Sequence, residues 1–319
     1  MTGLSSLAGA SRARRERGVA LIMAVLVVAL ALVLVAALLD RGEAARARTR
    51  NALRAEQGWQ LMLGLEGWAA SALRQDIEET GGIDSREDIW AQPLPPIDMP
   101  EARIRGRLRE LGGCFNLNAL HAAGQDNAQA VTRFEGLLRV LKLDPAIAAQ
   151  ARDWIDSDGN PNSSGAEDMA LLLRRPSYRA ANRAFVHVSE LRLLPAVDAD
   201  SYATLLPHVC ALPAGTPMNL NTASVELWMS LSDEIGVLHA QRLARDGRAR
   251  YLDKEGDLRQ EFLDLGLTPL APDPGLSLNS SYFVVEAEIV ADGVPFLYAS
   301  LLQRRPDGTR VLARNRGRY

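Results

Sequence analysis

Between residues 19 and 39 the chain carries no charged or strongly polar side chain. At ~1.5 Å per helical residue, a run of that length crosses the ~30 Å hydrocarbon layer of a bilayer. Within hydrocarbon a lone segment satisfies its own backbone only as a helix, so the rest of the sequence must lie on one side of it or the other. Arg12, Arg14, Arg15 and Arg17 precede the run against a single Glu16, which predicts a cytoplasmic N-terminus. Everything from Asp40 onward is then expected outside. A cleaved secretory signal fits poorly, because its apolar region spans only ~7–15 residues. A plain single-span anchor and a processed one remain.

The junction Arg17-Gly18-Val19 runs from basic head to uncharged helix within one residue. It resembles the class III signal of type IV pilins and pseudopilins, in which a prepilin peptidase cuts after the glycine and methylates the new N-terminus. The resemblance implies cleavage after Gly18 and an N-methylated Val19. Most pilin-like subunits carry glutamate at the fifth mature position, and here that position is Met23. A carboxylate in hydrocarbon is expensive unless paired. In assembled pilins its partner is a neighbour's terminal amine, so a subunit with methionine there does not need that neighbour.

At 319 residues, 47% of them apolar and 24% charged, the chain holds the membrane helix plus one large or two modest globular domains. The formal charge of −3 falls to about −6 without the basic leader, which gives no general attraction to nucleic acid. Both cysteines, Cys114 and Cys210, fall on the exported side, where an oxidising compartment permits a bridge. The sequence leaves that pairing open.

Past the membrane, residues 40–76 contain no proline and are rich in good helix formers. Leu53, Trp59, Met62, Leu65, Trp68 and Leu73 form a stripe at helical spacing that must pack on something. Gly81-Gly82 ends the helix, and prolines at 93, 95, 96 and 100 predict an extended connection. Arginines alternate with smaller or apolar residues over 103–109, as in a half-buried strand. The period then turns helical through Val131, Phe134, Leu137, Leu138 and Leu141, with Asp144-Pro145 starting the next helix. Helical pattern is expected to about Pro213, then at 225–231 and 237–245. The chain closes in a meander over 283–290, 296–304 and 310–314, turned at Asp292-Gly293 and Asp307-Gly308. These elements predict an α+β fold, with helices inserted into a sheet domain.

The densest cluster of oxygen ligands is Asp156-Ser157-Asp158-Gly159-Asn160-Pro161, followed by Glu167-Asp168. Asp156, Asp158, Asn160 and Glu167 reproduce positions 1, 3, 5 and 12 of an EF-hand loop, but Pro161 stands where that loop needs glycine. Packed carboxylates repel unless a hard cation or solvent separates them, and calcium is the natural candidate outside the cytoplasm. Two readings stay open. Asp156, Asp158, Asn160, Glu167 and Asp168 bind calcium, or the loop is solvated and Asp168 caps a helix over 169–174.

No enzyme is expected. His121, His187, His208 and His239 are scattered, and no zinc, phosphate-loop or nucleophile-elbow spacing occurs. The stretch Asn219-Leu220-Asn221-Thr222-Ala223 with Ile235-Gly236 downstream partly resembles a helix-hairpin-helix. Asp233 and Glu234 put negative charge where phosphate would lie, so it reads as a packing scaffold.

An ordered series covers nearly the whole chain: the leader junction with Met23, Phe115-Asn116-Leu117-Asn118-Ala119-Leu120, and Asp153-Trp154-Ile155-Asp156-Ser157-Asp158 running into Gly165-Ala166-Glu167-Asp168. It continues through Pro176-Ser177-Tyr178-Arg179-Ala180-Ala181-Asn182-Arg183, Glu190-Leu191-Arg192-Leu193-Leu194 and Asn219-Leu220-Asn221-Thr222-Ala223. The series resembles the protein K family of type II secretion. The resemblance implies a pilin-like α+β fold: a long N-terminal helix on an antiparallel sheet, interrupted by a large helical domain that binds calcium. It implies a minor pseudopilin in the inner membrane with its large domain in the periplasm. There it would cap a filament with minor pseudopilins I and J, prime or limit assembly, and meet secreted cargo. The expected segments are a leader (1–18), a membrane helix (19–39), the pseudopilin helix and first strands (40–118), an inserted helical domain (119–215), a second helical segment (216–275) and C-terminal strands (276–319). The alternative is a membrane-anchored nucleic-acid binder or scaffold.

Overall fold

A computed structural model describes residues 6–100, 102–122, 124–245 and 255–317, with side chains from residue 21 and, in the last helix, from residue 257. The expected cleavage junction Gly18-Val19 lies outside the residues whose side chains are described. The chain divides into two compact units, Met1–Trp59 and Gln60–Tyr319.

The first unit is helical, forming the start of α1 (Ser6–Thr80). From Leu21 to Leu39 its apolar side chains point outward all round, with Met23 61% exposed. A helix that is apolar on every face, with no core of its own, requires a non-aqueous surrounding.

In the second unit the end of α1 lies on a sheet of five antiparallel strands: β1 (Ile97–Met99), β2 (Ala102–Glu110), β3 (Tyr282–Ala291), β4 (Val294–Arg305) and β5 (Gly308–Arg316), in that spatial order. Met62, Leu65, Ala69 and Leu73 recur every three or four residues and are buried, so one helix face is committed to the sheet. Beneath Leu65 sits Gly106 of β2. A Cβ there would lie 2.8 Å from Leu65 Cδ2, so the small residue sets how closely helix and strand approach. The period-two pattern of β2 buries Ile104 and Leu108 and turns Arg103, Arg105 and Arg107 outward. The expected C-terminal meander is present, each strand extending a little beyond its predicted ends.

Charged groups fix the helix as well. Arg314 of β5 donates from Nε and Nη2 to the two carboxylate oxygens of Glu66, at 2.8 Å each. Arg304 of β4 donates from Nη1 to Asp76 at 2.9 Å and from Nη2 to Asp84.

Among the described residues the remaining α-helices fall between β2 and β3: α2 (Ala128–Val140), α3 (Ala146–Ile155), α4 (Asp168–Leu171), α5 (Ala199–Leu205), α6 (Val225–Met229), α7 (Val237–Ala244) and α8 (Glu255–Asp264). Phe134, Leu137, Ile147, Trp154, Leu191, Trp228 and Phe262 belong to a single core. The segments 119–215 and 216–275 therefore form one helical body. Residues 172–187 hold turns and irregular backbone where continued helix was expected, and the helix expected over 169–174 stops at Leu171.

The helical body rests on two copies of one local device. Phe115-Asn116-Leu117-Asn118 and Met218-Asn219-Leu220-Asn221 each open with a two-residue strand, paired in parallel with 209–210 and 276–277 respectively. In each, the first asparagine's Oδ1 accepts from the backbone N–H two residues on, at 3.2 Å for Asn116 and 3.0 Å for Asn219. One buried asparagine amide then ties distant backbone. Asn118 Nδ2 donates to the carbonyls of Phe185 and Leu212, both at 2.9 Å, and Asn219 Nδ2 to that of Asp84 at 3.2 Å. Beside the first copy Cys114 and Cys210 are bridged, with Cα atoms 5.8 Å apart.

Candidate functional site

The acidic loop begins where α3 ends. Asp153 occupies the last turn of α3 and Asp156 is its C-cap residue, three positions on and therefore on the same face. Carboxylates at a helix C-terminus face the negative end of its dipole, which favours a cation nearby. Asp153 draws the loop back onto the helix. Its Oδ1 accepts from the Asn162 backbone N–H at 3.0 Å and from Asn162 Nδ2 at 2.6 Å. The return strand needs Gly165, since a Cβ at that position would lie 1.9 Å from Asp153 Oδ2.

Glu167 arrives from the other side as the N-cap residue of α4, with its side chain making no capping bond. One carboxylate oxygen from each of Asp153, Asp156 and Glu167 then lies within 4.8 Å of the other two, and all three residues are buried. Asp156 Oδ1 and Glu167 Oε1 have no hydrogen-bond donor. Buried carboxylate oxygens without donors are expensive. Burial, then the charges of Asp158 and Asp153, push the Asp156 carboxyl up to about 6, partly offset by His121. Burial, then Asp153 and Asp156, push Glu167 up to about 7. Asp126 holds the neighbouring side chains: Arg152 Nε donates to it at 2.8 Å, and His121 Nδ1 lies 3.0 Å from the same carboxylate.

The remaining candidate ligands stand apart from this cluster. Asp158 and Asn160 are exposed, and Asp158 Oδ1 accepts from the Asn160 N–H at 2.8 Å. Asp168 faces the next segment, accepting from the Ala180 N–H at 3.0 Å and lying 3.5 Å from Arg179 Nη1. Asp153 is the residue that loop spacing alone does not find. Its signal is the helical i, i+3 relation to Asp156. Three buried oxygen donors, two of them orphaned, with no nitrogen or sulfur among them, suit a hard cation.

A family model described as type II secretion system protein K matches residues 113–214. Type II secretion system protein K of Pseudomonas aeruginosa is 37% identical over 320 aligned positions, covering 95% of this chain and 94% of its own length. The chain belongs to the type II secretion system protein K family. The protein K of Klebsiella pneumoniae is 32% identical and covers 96% of the chain and 98% of its own. A chain of the GspK-GspI-GspJ complex from enterotoxigenic Escherichia coli superposes with a TM-score of 0.68 at 26% identity, covering 85% of this chain and all of that one. The matched segment 113–214 contains both the Cys114–Cys210 bridge and the Asp153, Asp156 and Glu167 cluster.

Proposed function

We propose that this chain is a minor pseudopilin that ends the periplasmic filament of type II secretion. There it assembles with minor pseudopilins I and J and helps initiate or limit filament growth during export of folded proteins. The observation that carries the reading is the superposition on a chain of a three-subunit complex of that composition. The role is structural. The apolar helix holds the subunit in the inner membrane and later packs among like helices, and the folded unit stands in the periplasm. Cleavage after Gly18 and methylation of Val19 by a prepilin peptidase belong to the same reading.

Calcium is the ion we assign to Asp153, Asp156 and Glu167, supported by their orphaned oxygens and all-oxygen donor set. When bound it supplies positive charge that joins the end of α3 to the start of α4. Asp153 meanwhile keeps its hydrogen bonds to Asn162, which set the loop's path.

Co-expression of the chain with its I and J partners tests the assembly. A ternary species at micromolar concentration in analytical ultracentrifugation is expected, and separate sedimentation of all three would defeat the reading. Intact mass of the membrane-extracted chain tests processing, the expected result being loss of residues 1–18 and gain of one methyl group.

A further inference from the structure

Leu171 is fully buried in the core of the helical body, and the apolar residues around it on α4 face the other way. Met169 is 87% exposed, Leu173 85% and Leu172 47%. At i, i+3 and i+4 these three share one face of a helical turn. The turn continues past α4, with the Leu172 N–H donating to the Asp168 carbonyl at 2.8 Å and the Arg174 N–H to the Leu171 carbonyl at 3.2 Å. Residues 172–177 are then exposed without a break. Single exposed leucines are ordinary, but adjacent large apolar side chains standing clear of the fold mark a contact surface.

Charge is segregated at the same place. Residues 169–189 contain Arg174, Arg175, Arg179 and Arg183 and no acidic residue, in a chain whose formal charge is −3. Two of these arginines have carboxylates beside them: Arg179 Nη1 lies 3.5 Å from Asp168 and Arg183 Nη2 3.9 Å from Glu190. Arg174 and Arg175 are exposed, and their guanidinium groups have no ion pair among the described residues. The apolar turn therefore runs directly into two uncompensated positive charges, and what covers it must be apolar and anionic together.

An anionic bilayer offers both properties at every point of its surface. Leucine and methionine side chains reach the acyl boundary while neighbouring arginines stay at the level of the phosphates, which they bind with charge-assisted hydrogen bonds. A protein partner would have to supply a pocket and carboxylates in matching positions. A bilayer is also held at permanently high effective concentration by the N-terminal helix, if that helix spans it as read above. We propose that the turn from Met169 to Arg175 docks on an anionic phospholipid bilayer, with Met169, Leu172 and Leu173 entering the acyl boundary and Arg174 and Arg175 binding lipid phosphate. The proposal rests on the membrane reading of the N-terminal helix and goes beyond it, because the folded unit then has a bilayer contact of its own before the subunit enters a filament.

The test reconstitutes the full chain in nanodiscs of phosphatidylcholine alone or mixed with phosphatidylglycerol. Both native cysteines are bridged, so a bimane label goes only to an introduced Leu173→Cys. In the anionic discs its emission is expected to shift to the blue and to be quenched by lipids brominated near the headgroup. The docked-to-undocked ratio should exceed that in neutral discs by about tenfold or more. Arg174→Gln/Arg175→Gln should lose most of that preference, and Met169→Ser should weaken docking in both lipids. A label at Asp307→Cys, on the exposed turn between β4 and β5, should not respond. The proposal is overturned if the label at 173 stays in water in anionic discs, or if the label at 307 responds equally. It is also overturned if the blue shift appears only when the I and J partners are added, which would assign the turn to a protein. A chain that fails to enter the discs at all would remove the membrane reading of the N-terminal helix, and this proposal with it.

Discussion

Asp156 and Glu167 reach the same small space from opposite ends of a loop, and their proton affinities follow from that. Their carboxyls, raised to about 6 and about 7, hold protons in the folded state at pH values where an unfolded chain has released them. The folded state therefore binds more protons between about pH 4 and pH 7, and stability must fall as pH rises through that window. Asp76 and Asp84, raised mainly by burial to about 7 and about 6, add a slope of the same sign. We expect the metal-free chain to melt at lower temperature at pH 7.5 than at pH 5. Calcium, which competes with the protons on Asp156 and Glu167, should restore several degrees at the higher pH and little at the lower. In Asp156→Asn/Glu167→Gln both the slope and the calcium effect should shrink. A melting profile indifferent to calcium at pH 7.5 in the unaltered chain would remove the metal reading. Two members of this cluster could be read from loop spacing, because Asp156 and Glu167 bracket a turn-rich acidic stretch. Asp153 lies outside that spacing; its only sequence signal is the helical i, i+3 relation to Asp156, and the fold-back of Asn162 onto it is not marked locally. The same fold-back turns Asp158 and Asn160 to solvent.

At the scale of elements, strands declared themselves and the ties between them did not. Alternation in β2 and the Asp-Gly turns around β4 are local patterns, read within ten residues. Glu66 with Arg314, and Asp76 with Arg304, join residues more than two hundred positions apart, and nothing local marks them. Helix α8 lies inside the expected helical segment 216–275 but was not placed individually, for a related reason: its sequence is mostly polar, and among its described side chains Phe262 is the fully buried one. The paired asparagine devices were visible as two similar strings, yet their role needs the distant carbonyls they hold. The Cys114–Cys210 bridge joins the residues flanking the first device and closes the loop between β2 and Val209-Cys210. A cross-link of that span stabilises chiefly by restricting the unfolded chain. Cys114→Ser/Cys210→Ser should therefore cost roughly 2–5 kcal/mol, read as a lower urea midpoint with an altered denaturant slope. An unchanged midpoint under reducing and oxidising conditions would show that the buried asparagine network alone holds the base of the helical body.

On the scale of the whole molecule, membrane attachment and folding draw on different residues. The described side chains from Leu21 to Leu39 are apolar and exposed, whereas the sheet and helical body take their core from residue 62 onward. The second unit also contains its own disulfide, the Asp153, Asp156 and Glu167 cluster and both ion-paired ties between α1 and the sheet. The buried apolar residues named above all lie in residues 60–319, and removing residues 1–59 also removes the apolar run that demands detergent. Residues 60–319 produced alone in an oxidising compartment should therefore be soluble and cooperatively folded. Their melting temperature should match that of the full chain in detergent to within a few degrees, on the scale of ~2–4 °C per kcal/mol for a domain of this size. Circular dichroism with and without detergent measures this directly. Aggregation, or a broad transition sharpened only by detergent, would mean that the membrane helix contributes to folding and not solely to attachment and assembly. If the truncated unit folds but binds the I and J partners more weakly than the full chain, the difference reports what the N-terminal helix contributes to the filament.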